Sequence, residues 1–405
     1  ICMIRDQAPK TARVFEVARS YRFKKGSGMP ISIPVIDMVE IGAGGGSLAS
    51  VDAMRQIRVG PESAGAEPGP ACYQRGGDRP AVTDADLVLG RLDPENFAGG
   101  DIKLSPEAAE KTIESNIGSP LDLDRMTAAF GISEVVDENM ANAARVHAVE
   151  NGEDLAGFTM IAFGGAAPLH AGRLCQKLGI GRFLVPPGAG VGSAIGFLRA
   201  PFSFEATRSA YMRLSDFSPA AAKRVLEELS AEAAEFVRSC DAEAGIVTEA
   251  RAYMRYVGQG WEIPVDFGPE DAADPTAARC LRLFEDAYAA LFGRIVDGVD
   301  IEVTSWAVKA ATPLPPAEAI GTAEAGAEAG VGETRPLFDP GLGEVIEAGV
   351  VARDALAPGG WLAGPAMVTE RETTVVIPAG FTATMRADGT VEVVRDAAEH
   401  REAAQ

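Results

Sequence analysis

An α/β fold ending in a β-rich carboxy-terminal domain is the class that this 405-residue sequence predicts. Three stretches predict it. A short apolar run at 159–163 stops at Gly164-Gly165 and gives way to a helix-compatible segment at 169–178, so the chain reads strand, glycine turn, helix. A second apolar run at 182–185 ends in Pro186-Pro187-Gly188-Ala189-Gly190-Val191-Gly192-Ser193-Ala194, another glycine turn opening onto a helix start. Two such turns, separated by one helix and one strand, fall on the same end of an α/β sheet, where ligand crevices form outside the carboxyl ends of the strands. From 336 to 395 the sequence turns β-rich, with many Gly and Pro turns.

Composition bounds the function. The length suggests two to three domains, and 47% hydrophobic with 23% charged residues is ordinary for a soluble globular protein. A formal net charge of -21 argues against nucleic acid and anionic membrane surfaces, both of which require a basic face. The cysteines Cys2, Cys72, Cys175, Cys240 and Cys280 are dispersed, with no C-x-x-C pair, as expected of reduced thiols in a cytoplasm. No apolar run reaches the ~18 residues of a membrane span, and no secretory signal is expected.

Residues 1–60 read as strands. Ile1, Cys2, Met3 and Ile4 form an apolar strand with no lead-in, as expected of part of a longer protein, and a hairpin turn follows at 5–9. Residues 14–17 alternate, and 21–25 lead to the loop Gly26-Ser27-Gly28. The run 34–41 is an apolar strand carrying Asp37 and Glu40. It ends at Gly42-Ala43-Gly44-Gly45-Gly46-Ser47, and a hairpin follows: 48–51, a turn near Asp52, then Ile57 and Val59. Strand, glycine loop, strand differs from the P-loop, which needs Lys-Ser/Thr and a helix, and from the dinucleotide fingerprint, which also needs a helix. Four glycines in five positions exceed what a turn requires. Their bare amides suit a phosphate or substrate cradle; a wide hairpin turn is the other reading.

Residues 60–90 are loop-rich. Cys72, with no neighbouring His, reads as an ordinary thiol. Thr83 or Asp84 caps a short helix, while Asp84 and Asp86 can equally be read as a general base or metal ligand. Ser105-Pro106-Glu107 starts a helical stretch. Across 126–149, Val136, Met140, Ala143, Ala144 and His147 share an apolar face, so His147 is expected in the core. Glu134, Glu138, Asn142 and Arg145 lie on the other face, solvated with i,i+4 pairs or lining a cleft. Later come a charged helix at 215–245, two strands within 251–266 around Gly258-Gln259-Gly260-Trp261, a helix at 276–291 and a strand at 301–308. A Pro/Ala/Gly/Glu linker at 312–333 precedes convincing strands at 373–377 and 382–385, and a polar tail begins at 397.

Several of these segments together resemble the hydantoinase A/oxoprolinase family. They are I-D-M-V-E-I-G-A-G-G-G-S, V-G-P-E-S-A-G-A-E-P-G-P-A-C-Y, V-T-D-A-D-L-V-L-G, A-F-G-G-A-A-P-L-H-A and V-P-P-G-A-G-V-G-S-A-I-G, followed by R-Y-V-G-Q-G-W-E and G-P-A-M-V-T-E-R-E-T-T. The match runs in order over nearly the whole chain. The resemblance implies an actin-like ATPase fold, as in sugar kinases and heat-shock ATPases, with ATP between two lobes. That fold is incomplete here, because the family's amino-terminal lobe with its D-x-G-G-T phosphate hairpin is not within these residues. Ala167 stands where family members often have Gly. The implied domains are an ATPase-like part at 1–205, an α/β part at 206–311, a linker at 312–335, a β-rich domain at 336–396 and a tail at 397–405.

The resemblance also implies a site. Gly164 and Gly165 belong to the adenosine motif, and Gly42, Gly44, Gly45, Gly46 and Ser47 face the phosphates. His170 contacts nucleotide or substrate, or packs at the helix start. A carboxylate must hold water or metal, and Asp37, Glu40 and Asp84 are the candidates. The implied cofactors are ATP and Mg²⁺ or another divalent metal. Phosphoryl transfer to a carbonyl oxygen needs chiefly positioning and charge neutralisation, which glycine amides and Mg²⁺ suit. One branch of the family opens cyclic amides such as hydantoins and 5-oxoproline; another supplies subunits of ATP-dependent ketone carboxylases for acetone or acetophenone. Both imply a hetero-oligomer with a B-type subunit. A non-enzymatic reading is that this chain only docks that subunit.

Overall fold

The opening residues fold into short hairpins. In the computed structural model, which describes residues 1–18, 20, 26–314, 321 and 323–396, they pair as antiparallel ribbons. β1 (Ile4–Arg5) pairs with β2 (Ala8–Pro9), β3 (Thr11–Val17) with β4 (Met29–Ile36), and β5 (Ser47–Val51) with β6 (Ile57–Ser63). The Asp52 carboxylate closes the last hairpin by accepting from the Met54 and Gln56 N–H groups, each at 2.9 Å. The strand expected across 34–41 stops at Ile36. Beyond it the backbone is held by single bonds rather than a ladder, Asp37 N–H to the Lys10 carbonyl at 2.8 Å and Val39 N–H to Ile1 at 2.9 Å.

Helices then cover β5 and β6. α1 (Val82–Val88), α2 (Pro106–Ile113) and α4 (Arg125–Glu150) bury Val82, Ala85, Ile113, Ile132 and Val136 against Ala49 and Val59, and Leu121 of the short α3 (Ser119–Leu121) packs partly against them. Asp124 caps α4 by accepting from Met126 and Thr127 N–H at 2.9 and 3.0 Å. His147 lies on the buried face of α4, as its spacing predicts. The opposite face is neither plainly solvated nor a cleft. Glu134 pairs with Arg173 at 2.9 Å and Lys177 at 2.5 Å, and Glu138 with Lys177 at 2.9 Å, both partners standing on α5 (Ala167–Leu178).

α5 connects β7 (Met160–Ile161) to the parallel β8 (Arg182–Val185) and ends at Gly179, whose φ of +69° a side chain would strain. α6 (Gly192–Arg199) follows the second glycine turn. The apolar run at 159–163, read from the sequence as a strand, is one only in part. Only two of its residues pair, and Ile161 and Phe163 are exposed, because β7 is an edge strand with one neighbour.

The following segment has its own core. β9 (Ser203–Arg213), α7 (Pro219–Cys240), β10 (Val247–Tyr256), β11 (Ile263–Phe267), α8 (Pro269–Ala273), α9 (Ala277–Phe292) and β12 (Ile301–Ala311) build an antiparallel sheet ordered β11-β10-β12-β9. Leu229 of α7 and Phe284 of α9 pack with Met254 and Trp306 of the sheet.

The last strands return to the first segment. β13 (Glu333–Asp339), β14 (Glu344–Ala352), β16 (Ala366–Thr369) and β17 (Thr374–Ile377) form one sheet; β15 (Trp361–Ala363), β18 (Phe381–Met385) and β19 (Val391–Arg395) extend β8 and β7 into another, ordered β15-β18-β19-β8-β7. Val391 stands opposite Val185 and Val393 opposite Phe183. The chain therefore divides after Ile195 and after Glu318, with the outer segments together and Gly196–Glu318 apart. The boundaries expected from the sequence are 205 and 311, with a domain at 336–396; β19 of that stretch pairs with β8 and so shares a sheet with the first segment. The expected tail 397–405, linker residues 315–320 and 322, and loop residues 21–25 lie outside the described residues. No helix among the described residues is long and apolar enough to cross a membrane.

Candidate functional site

The glycine loop after β4 is bound down at two points and open at a third. Thr83 of α1 donates to the Gly45 carbonyl from both its backbone N–H, at 2.8 Å, and its hydroxyl, at 2.9 Å. The Gly46 carbonyl accepts from Ala64 N–H at 2.8 Å. A Cβ at Gly45 would stand 2.6 Å from Thr83 Oγ1, and one at Gly46 2.9 Å from Ser63 Oγ, so both glycines are demanded by close approach. Gly44 has open space where a Cβ would stand. Ser47 is buried, and its hydroxyl accepts from Gly44 N–H at 3.0 Å, tying the turn to itself. Thr83 thus grips the loop, while Ala81 is the residue before the first turn of α1.

The two later turns meet, as their shared sheet end predicts. Gly164 N–H donates to the Ala189 carbonyl at 2.6 Å. Gly164 has φ +104° and open space beside it. The Gly165 carbonyl accepts from Thr373 Oγ1 at 2.7 Å, and a Cβ at Gly190 would come within 2.2 Å of Glu372 Cβ. The 42–47 loop joins this group: the Cβ position of Gly45 lies 4.0 Å from Ala166 Cβ. Beside the turns is a cavity of about 330 Å³, lined among others by Gly165, Gly190, Phe97, Arg371, Glu372 and Thr374.

The acidic candidates scatter. Asp37 is half-buried just after β4 and Glu40 is exposed; neither lines the cavity. Asp84 is fully buried and accepts from three backbone N–H groups, Cys72 at 2.7 Å, Ala81 at 2.8 Å and Ala71 at 3.1 Å. That is the placement of a backbone anchor. Burial, with Asp84 adding, pushes the Cys72 thiol far up, which fits an inert thiol. All five cysteines are free.

His170 sits inside the protein rather than on an open surface. It has no exposed area, and its Nδ1 lies 2.8 Å from Asp137 Oδ1. Its Nε2 faces Asp86 Oδ2 at 3.4 Å, an ion-pair distance without hydrogen-bond alignment. Burial opposes the charged ring, but the carboxylates of Asp86 and Asp137 outweigh it and raise His170 to about 10. Burial would likewise lift Asp86, yet His170 and Arg91 hold it below the usual carboxylate range. Of the two readings of His170, this placement carries packing at the helix start.

The carboxylates that do line the cavity were not singled out from the sequence: Asp93, Asp101, Glu370 and Glu372. Asp93 pairs with Arg335 at 2.9 Å and Asp101 with Arg371 at 3.2 Å. Arg353 holds both oxygens of Glu370, at 3.1 and 3.0 Å. Burial lifts Glu370 above its ordinary range, against the pull of Arg353. Glu372 has no ion-pair partner among the described residues. The only signal for it was T-E-R-E-T-T, a motif that gives no hint of packing against turns two hundred residues earlier. Among the described residues, no group of three or more His, Cys, Asp or Glu side chains is placed to hold a metal ion.

A profile of the hydantoinase/oxoprolinase family matches residues 1–206, and one of that family's carboxy-terminal domain matches 217–389. An uncharacterised protein of Methanocaldococcus jannaschii is 33% identical over 406 residues, covering 96% of this chain and 56% of its own length. The caprolactamase alpha subunit of Pseudomonas jessenii is 30% identical over 370 residues, covering 90% of this chain and 53% of the subunit. The nucleotide-free structure of acetone carboxylase, solved in a study of ATP-dependent acetone carboxylation, is similar with a TM-score of 0.78 at 25% identity, over 91% of this chain and 54% of that one. The chain spans about half the length of the curated relatives it matches.

Proposed function

The chain belongs to the hydantoinase/oxoprolinase family, with part of its actin-like ATPase fold, and from that premise we propose that it is the A-type part of an ATP-dependent cyclic-amide hydrolase. One observation carries the reading: three glycine turns from separate stretches meet at one place, with Gly44 and Gly164 open to space and a cavity starting at Gly165. Bare turns of this kind offer backbone amides to a nucleotide. ATP, when bound, supplies the phosphoryl group that makes an amide carbonyl oxygen a leaving group.

The chain's own residues hold and exclude. Gly42, Gly44, Gly164 and Gly165 line the nucleotide's path with backbone. Gly45, Gly46 and Ser47 keep that path in shape through Thr83 and Ser63. Glu372 has a carboxylate free to orient the water that attacks the activated carbon; Asp37 and Glu40, the other candidates that solvent reaches, stand away from the cavity. Mg²⁺ would be carried by the nucleotide's phosphates with one or two carboxylates, a mode that requires no cage of protein ligands. The free thiols suit a reducing compartment such as the cytoplasm, and subunit names among the relatives support a B-type partner and a hetero-oligomer.

The likeness to acetone carboxylase supports a second reading, a subunit of an ATP-dependent ketone carboxylase. ATP consumption by the full-length protein with its partner separates the two. Stimulation by hydantoin, 5-oxoproline or caprolactam, with loss of turnover in Glu372→Gln, supports the hydrolase. Bicarbonate-dependent stimulation by a ketone supports the carboxylase. A protein that binds no ATP overturns both and leaves a docking role.

A further inference from the structure

α1 and α5 each begin against a glycine turn, and one helical turn below those starts lies a buried cluster of charges. Thr83, which grips Gly45, stands three residues before Asp86. Ala166, beside the Gly45 Cβ position, stands four residues before His170. Between the helices, His170 faces Asp86 of α1 at 3.4 Å and Asp137 of α4 at 2.8 Å. Arg91 completes the cluster, on Asp86 at 2.9 Å and on Ser133 Oγ at 2.8 Å. All four charged side chains are almost wholly buried. A buried cluster of this kind adds little net stability over apolar packing of the same volume. What it does add is a fixed separation between the elements that carry it.

We infer that the Asp86–His170–Asp137 cluster is a positioning device, holding the 42–47 and 164–166 turns at the separation that nucleotide binding requires. The inference rests on the nucleotide reading of those turns. Charge count shows how it works. Two cations face two carboxylates. Neutralising His170 removes the cation by which α5 holds Asp86 of α1 and Asp137 of α4, and leaves both carboxylates against Arg91 alone, so α5 is released from α1 and α4. Neutralising Asp86 as well restores the balance.

The test uses the full-length protein well below its unfolding temperature, with ATP as the probe and amide hydrogen exchange as a second, ATP-free readout. His170→Gln weakens ATP binding roughly tenfold and speeds exchange in both turns. The pair Asp86→Asn with His170→Gln recovers most of both. Should His170→Gln not fold, Asp86→Asn, which breaks the same contact from the α1 side, carries the same readouts. A lower melting temperature with unchanged exchange in the turns and unchanged ATP affinity overturns the positioning role. Wild-type protein that binds no ATP overturns the nucleotide reading itself, and the exchange arm tells the two failures apart.

Discussion

Single residues at the candidate site divide into those required by packing and those with open space beside them. Gly45, Gly46 and Gly190 are crowded, whereas Gly44 and Gly164 are not. Gly165 is intermediate, since a Cβ there would meet only the Glu372 carbonyl at 3.6 Å. Gly165→Val therefore reaches further into the cavity than the backbone does. In the full-length protein we expect it to weaken ATP binding about tenfold while the fold is retained; titration calorimetry with unchanged affinity would refute this. His170 gives a pH dependence. Its folded pKa is raised to about 10, so its contribution to stability is fully present below the ordinary value of 6.5 and is lost as pH rises through 10. Asp86 acts at the other end, its contribution falling away as pH drops through its depressed value. Urea unfolding followed from pH 7 to 10 should show falling stability, and His170→Gln should flatten that slope.

Elements follow their local pattern where neighbours along the chain decide the outcome, and depart from it where a distant partner does. Ser218, Thr276 and Asp124 cap their helices through their side chains. The 48–59 hairpin forms around Asp52 as its spacing suggests. The 34–41 and 159–163 runs are both largely apolar, yet neither becomes a full strand, because each lacks a continuous partner. β8 is the contrary case, a short strand made central by β19. Phe183 at its middle is completely buried. Phe183→Ala should cost about 3–5 kcal/mol by denaturant unfolding; a loss below about 1 kcal/mol would mean that β8 is not a core strand.

Across the whole chain, the first unit depends on residues that arrive last. β13 to β19 supply one sheet, most of another and the 369–374 wall of the cavity. Truncation after Glu318 should therefore unfold the first unit while Gly196–Glu318 keeps its own core around Trp306. The truncated protein retains Trp261 and Trp306, both in the second unit, so tryptophan fluorescence reports on that unit alone. We expect a cooperative urea transition by fluorescence with far-UV circular dichroism well below the intact chain's helical signal. Full retention of that signal would show that the first unit does not need its carboxy-terminal strands.

The family, the glycine turns, the helix start at Ser105 and the core placement of His147 were legible in residue order, since each depends on side chains within one or two helical turns or on a motif of contiguous residues; the cap expected at Thr83 or Asp84 was not, since Ala81 precedes the helix there. The meeting of the 42–47 and 164–166 turns, the burial of His170 between two carboxylates, and the arrival of Glu372 at the cavity were decided only in three dimensions. Strand pairing and charge burial act between residues far apart in the chain, and no local periodicity records which distant segment will cover an open edge or a lone charge.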